Sequence, residues 1–222
     1  MIVTIDGPAG TGKSTAARRL AERLGFDHLD TGAMYRVVAW RCLQTQIDLD
    51  SHDQIADTAR NCSISFEENR VLVDSVDVTD EIRSAEVTST ASIVAQVPRV
   101  RDRLVGWQRE LAEDRDIVCE GRDQGTVVFP NAECKFFLTA DVGERARRRQ
   151  RELEGRGEAV DFEDLLRQQI ERDARDQDRE VAPLRPATDA IVIDTTSLSI
   201  DQVVELLCHH VDSRRSTSTT NG

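Results

Sequence analysis

An α/β fold, a parallel five-stranded sheet flanked by helices, is predicted by three features of the chain. Five short apolar segments alternate with helical stretches. The first segment runs directly into Gly7-Pro8-Ala9-Gly10-Thr11-Gly12-Lys13-Ser14, which fits the phosphate-cradling pattern G-x-x-x-x-G-K-[ST]. A helical repeat follows at once through Ala16, Leu20 and Leu24, and Gly25 supplies its stop. Strand, glycine loop and helix in this order are the context that gives the motif meaning.

Each residue type in the loop has a physical reason. Gly7, Gly10 and Gly12 allow backbone N–H groups to turn inward around a phosphate. The helix that follows aims its positive end at the same anion. Lys13 brings a charge to the β- and γ-phosphates, and the Ser14 hydroxyl suits Mg²⁺. The nucleotide-binding stretch is therefore Gly7, Pro8, Ala9, Gly10, Thr11, Gly12, Lys13, Ser14 and Thr15. A glycine turn that bound nothing would need no Gly-Lys-Ser at this spacing.

The elements can be justified in chain order. Ile2, Val3 and Ile5 are a β-branched, buried strand, and Asp27–Asp30 is a second. That strand ends at Asp30-Thr31-Gly32-Ala33-Met34-Tyr35-Arg36, which leads into a helix through Val37, Val38 and Trp40. Residues 63–78 change character: Ser63-Ile64-Ser65-Phe66 alternates, Glu68-Asn69 is a turn signal and Val71-Leu72-Val73 follows, an antiparallel excursion. Helices follow over 85–96 and from Pro98 through Leu104 and Leu111. Residues 62–112 read as an insertion beside the phosphate loop. Strands are expected at 116–120, 134–139 and 189–194.

Between the last two strands lie two arginine-rich helices separated by Gly155-Arg156-Gly157. Residues 150–182 read as a lid, and its second helix is expected to present Arg172, Arg175 and Arg179 on one face. Arg147, Arg151 and Arg167 read as solvated, while Arg145 and Arg149 are weaker candidates for the donor side. The C-terminal helix opens on a capping box, Ser199 with Gln202, and buries Val203, Val204, Leu207 and Val211. His28, His209 and His210 read as structural. The kinase-sized domain spans 1–212, and residues 213–222 read as a disordered tail.

Composition narrows the function. At 222 residues and 39% hydrophobic content the chain supports one sizeable α/β domain with insertions. No run approaches the roughly 20 apolar residues of a membrane helix. The chain shows no basic n-region of a secretory signal. Five cysteines without C-x-x-C pairing read as reduced thiols of a cytoplasmic protein, without zinc-ligand spacing. A net charge of −12 argues against nucleic acid as a partner. Of 29 basic residues only Lys13 and Lys135 are lysines. Neither lies in an [NT]-K-x-D guanine motif, so a conventional GTPase is excluded, and the length disfavours a large ATP-driven machine. A small-molecule kinase remains. A regulator gripping RNA through the arginine helices is the alternative from another class, opposed by the acidic balance.

Four further segments carry a family resemblance. Asp30-Thr31-Gly32-Ala33-Met34-Tyr35-Arg36, Val78 to Arg83, Gly121-Arg122-Asp123-Gln124-Gly125 through Pro130, and Arg179 to Leu184 resemble signatures of the bacterial cytidylate kinases. Gln124 departs from the pattern, standing where that family usually has an apolar residue. The resemblance implies transfer of the ATP γ-phosphoryl group to CMP or dCMP with Mg²⁺. It also implies a P-loop core with a monophosphate-binding insertion and a lid. A monomer is expected. A UMP or AMP kinase on the same scaffold is the nearest alternative. The acceptor site carried over is Thr31, Arg36, Ser92, Arg101, Arg122, Asp123, Arg172, Asp176 and Arg179. Lys13, Arg172 and Arg179 are then the residues nearest the reacting phosphates. Cytosine offers an N4 donor and the O2 and N3 acceptors, which suits Asp123 and Arg101 with Ser92 assisting.

Overall fold

The computed structural model describes residues 1–67, 70–155 and 157–219. Two compact units are formed, one by Met1–Leu29 with the chain from Ala112 onward, the other by Asp30–Leu111. The second is wider than the insertion placed at 62–112, because the helix opening at Thr31 packs with that insertion.

In the first unit, β1 (Ile2–Asp6), β2 (Asp27–Asp30), β6 (Ile117–Glu120), β7 (Cys134–Thr139) and β8 (Ile191–Asp194) form a sheet in the order β2-β6-β1-β7-β8. β1 pairs in parallel with β6 and β7, and β7 with β8. Strands buried on both faces read as continuous apolar runs, which is why β1, β6 and β7 were visible in the sequence. Val3, Ile5, Val118, Phe136 and Leu138 are buried between the helices. α1 (Lys13–Leu24) contributes Ala16, Ala17 and Leu20 to this core, and α8 (Ile200–Thr219) contributes Val203, Val204, Leu207 and Val211. Gly25 ends α1 in the left-handed conformation at φ 68°. The Ser199–Gln202 box is made in both directions, at 2.8 and 3.2 Å.

β1 lies at the point where strand order reverses, so the crevice beyond its carboxyl end is where such a sheet binds ligand. There the loop after β1 meets the segment after β6, with Gly121 N–H donating to Ile5 O at 3.1 Å. α6 (Val142–Glu154) and α7 (Phe162–Gln177) pack on each other between β7 and β8. Asp141 and Asp161 cap their N-termini.

The second unit holds α2 (Thr31–Gln44), α3 (His52–Asn61), α4 (Ala85–Val94) and most of α5 (Pro98–Ala112). Its antiparallel excursion has three strands, β3 (Ile64–Glu67), β4 (Arg70–Val73) and the short β5 (Val76–Asp77). The turn expected at Glu68-Asn69 lies outside the described residues, as does Arg156 of the glycine break.

Two expectations are corrected. Arg179 is not on α7, which ends at Gln177. The chain folds back there: Leu184 N–H donates to Asp176 O at 2.8 Å, and Ala182 takes a positive φ of 54°. The tail expected from Ser213 continues α8 to Thr219, with Ser213 and Ser216 hydroxyls donating to carbonyls four residues back. A serine that satisfies itself on the helix in this way need not end it. Residues 220–222 lie outside the described residues.

Candidate active site

The glycine loop is shaped by close approaches. A Cβ on Gly7 would lie 2.0 Å from Leu138 O, at a φ of 142° that side chains avoid. A Cβ on Gly10 would lie 3.0 Å from Arg145 Cβ. Inside the loop, Lys13 Nζ donates to Pro8 O at 2.7 Å and Thr11 Oγ1 to the same carbonyl at 3.1 Å. From outside, Thr195 Oγ1 donates to Thr11 O at 3.1 Å, and Arg148 reaches the same carbonyl at 3.4 Å. Carbonyls occupied by these donors leave the loop amides to an anion.

Ser14 Oγ donates to Glu120 Oε2 at 2.7 Å, and His28 Nε2 lies 3.4 Å from the other oxygen of that carboxylate. Among the described residues no cluster of three or more His, Cys, Asp or Glu is arranged to hold a metal by itself. Mg²⁺ keeps waters and substrate phosphate oxygens as ligands, so a hydroxyl and a carboxylate at a helix N-terminus fit it. Nothing in the sequence singled out Glu120, because its role depends on a partner 106 residues away.

A second cluster surrounds the end of β6. Asp176, buried, accepts from Arg122 Nε at 2.9 Å and from Arg179. Burial alone would raise its pKa; Arg122, Arg179 and Arg172 outweigh that and hold the carboxyl below its usual range. Lys13 is driven the other way. Burial, then the positive fields of Arg122 and Arg172, lower its pKa well below the usual lysine range, against the pull of Glu120 and Asp6. Lys13, Arg122 and Arg172 thus repel one another around one place, which an anion would relieve.

Asp6, at the end of β1, receives the backbone N–H groups of Gln124 and Gly125 at 2.9 and 2.8 Å. Burial pushes its pKa up to about 6, and nearby Asp123 adds to that, although the two N–H groups and Lys13 oppose it. These bonds shape a π-helical turn over Gln124–Val128, which periodicity did not predict. Asp123 and Gln124 are both buried here.

The structure therefore brings Lys13, Arg122, Arg172, Asp176 and Arg179 together, with Asp123 adjoining Asp6. The other predicted acceptor residues belong to the second unit. Thr31 opens α2, buried; Arg36 pairs with Asp30 at 2.7 Å; Ser92 on α4 and Arg101 on α5 are buried. Arg175 faces solvent. Arg147, Arg151 and Arg167 are well exposed, as expected, whereas Arg149 pairs with Glu152 at 2.9 Å and Arg145 is buried against Asp173.

A central strand, a glycine cradle with its lysine and serine, and arginines converging from the segment after β6, from α7 and from the chain just beyond it define a small P-loop kinase. The fold is shared with a gluconokinase from Sinorhizobium meliloti, at a TM-score of 0.51 and 14% identity over 99% of this chain and 96% of that one. The family model described as Cytidylate kinase matches residues 3–213, and the chain belongs to that family. It is 49% identical over 205 residues to a cytidylate kinase of Rhodopirellula baltica, covering 92% of this chain and 90% of the relative. A cytidylate kinase of Caldanaerobacter subterraneus is 47% identical over 203 residues, covering 91% of each.

Proposed function

We propose that this chain transfers the γ-phosphoryl group of ATP to CMP or dCMP, giving ADP and CDP or dCDP. The observation that carries the reading is Lys13, buried in the glycine loop with its Nζ on Pro8 O at 2.7 Å and in the positive fields of Arg122 and Arg172. A phosphate monoester has a second pKa of about 6, so the acceptor oxygen is largely ionised near neutrality and needs no general base. Catalysis is then positioning and charge neutralisation. Lys13, Arg172 and Arg179 draw charge from the transferring group, and Arg122, oriented by Asp176, holds the acceptor phosphate; Thr31 and Arg36 are assigned to the acceptor by the family resemblance alone. Bound Mg²⁺ would neutralise the donor phosphates, with Ser14 and Glu120 as the residues to hold it.

Base choice rests on Asp123, whose carboxylate accepts from the cytosine amino group; the family resemblance alone assigns Arg101 and Ser92 to the ring acceptors. Uracil would set O4 against the carboxylate and cost roughly 1–3 kcal/mol. The family match disfavours a kinase for other nucleotides, and together with the net charge of −12 it disfavours an RNA-gripping regulator. Five buried free cysteines support a reduced, cytoplasmic setting, and a monomer suffices for the reaction. No helix among the described residues is long and apolar enough to cross a membrane. The test is ADP formation from Mg-ATP with CMP and with UMP, in the wild type and in Asp123→Ala. The expected result is a CMP preference that narrows by about tenfold or more in the variant; an unchanged preference contradicts the assignment.

A further inference from the structure

Arg145 is a buried cation on α6 that the reaction above does not use. Its guanidinium is committed on every side. Nη1 and Nη2 form a fork onto Asp173 of α7, at 3.0 and 2.6 Å, while Nε donates to Ala140 O at 3.0 Å. Nη1 also donates to Ala9 O, in the phosphate loop, at 3.2 Å. Gln169, one turn before Asp173, sends its amide to the same Ala9 carbonyl and to Asp173 Oδ1, each at 3.2 Å.

Two side chains from two helices, Arg145 and Gln169, therefore converge on one loop carbonyl, and Asp173 accepts from both. The loop answers with Gly10, where any Cβ would lie 3.0 Å from Arg145 Cβ. Residues 169, 172, 173 and 176 fall on one face of α7 by helical spacing. The same face thus carries the fastening, Gln169 and Asp173, and the cluster residues, Arg172 and Asp176.

We propose that Arg145, Gln169 and Asp173 are positioning residues that fasten α7 to the phosphate loop and so hold Arg172 and Asp176 in register with Lys13. The consequence for turnover rests on the kinase reading above; the fastening itself does not. A bidentate guanidinium–carboxylate pair fixes distance and angle together, which a lysine in place of Arg145 would not do. Displacement of a reacting partner by about 1 Å can cost on the order of a hundredfold in rate.

The experiment compares Asp173→Asn, Arg145→Lys and the double variant by amide hydrogen exchange and by steady-state kinetics with CMP. Exchange in α7 should quicken by about tenfold or more in each, while β1 and β7 keep their protection. In the same variants kcat should fall roughly ten- to a hundredfold, with a smaller change in KM for CMP. The double variant should be no worse than the worse single, since the pair acts as one unit. Unchanged α7 protection, or kcat within about twofold of wild type, overturns the proposal. If Asp173→Asn does not fold, Gln169→Ala, which removes only a neutral donor, must shift both readouts in the same direction; no shift overturns it equally. A wild type that leaves CMP untouched sinks the kinase reading instead, and exchange still decides the fastening.

Discussion

Arg122 Nε donates to Asp176 Oδ2 at 2.9 Å, joining the segment after β6 to the last turn of α7 across 54 residues of chain. Asp176 is also bonded by Arg179, so one buried carboxylate orients two of the arginines assigned to phosphate. Removing its charge leaves those cations without their shared anion.

Asp176→Asn should therefore cost about 3 kcal/mol of stability near neutral pH. The pH dependence has a definite sign. The folded pKa lies below the unfolded value of 3.8, so the contribution is present above that value and is lost as pH falls through the folded one. Urea denaturation of both proteins should show a gap near about pH 7 that closes towards about pH 2. A gap independent of pH would contradict the ion-pair account.

Asp6 behaves oppositely. Its folded pKa of about 6 lies above the unfolded 3.8, so its contribution is complete below 3.8 and disappears as pH rises through 6. The stability of the wild type relative to Asp6→Asn should fall by roughly 2–3 kcal/mol between about pH 4 and pH 7. Parallel stability curves for the two proteins would show that Asp6 is not perturbed.

Arg172→Ala should fold normally, since the residue is only partly buried on α7, and should lose turnover by roughly a hundredfold or more. Melting temperature and kcat measured on the same preparation separate the two effects. Near-normal kcat would remove Arg172 from the mechanism.

How much was legible in the sequence depended on range. β7 was readable to the residue, Cys134–Thr139, because a buried parallel strand is a local apolar run. The Ser199–Gln202 box was readable because both partners lie within one turn. Arg179 was assigned to α7 by spacing, but the bond from Leu184 to Asp176 O turns the chain back there. Asp6 was passed over altogether: a carboxylate before a glycine loop looks ordinary until the N–H groups of Gln124 and Gly125, 118 and 119 residues away, arrive at it. Arg145 read in the sequence as a weaker candidate for the donor side, and nothing there showed that Asp173 pairs with it at 2.6 Å. Motif and resemblance named the chemistry; only the fold could say which charges were spoken for.

The measurement that bears most directly on the central claim is ADP formation from Mg-ATP by the purified wild type, with CMP, dCMP, UMP and AMP supplied in turn. Rapid turnover with CMP or dCMP, well above UMP, AMP and the rate without acceptor, is the predicted result. ADP released no faster with CMP than in its absence would contradict it.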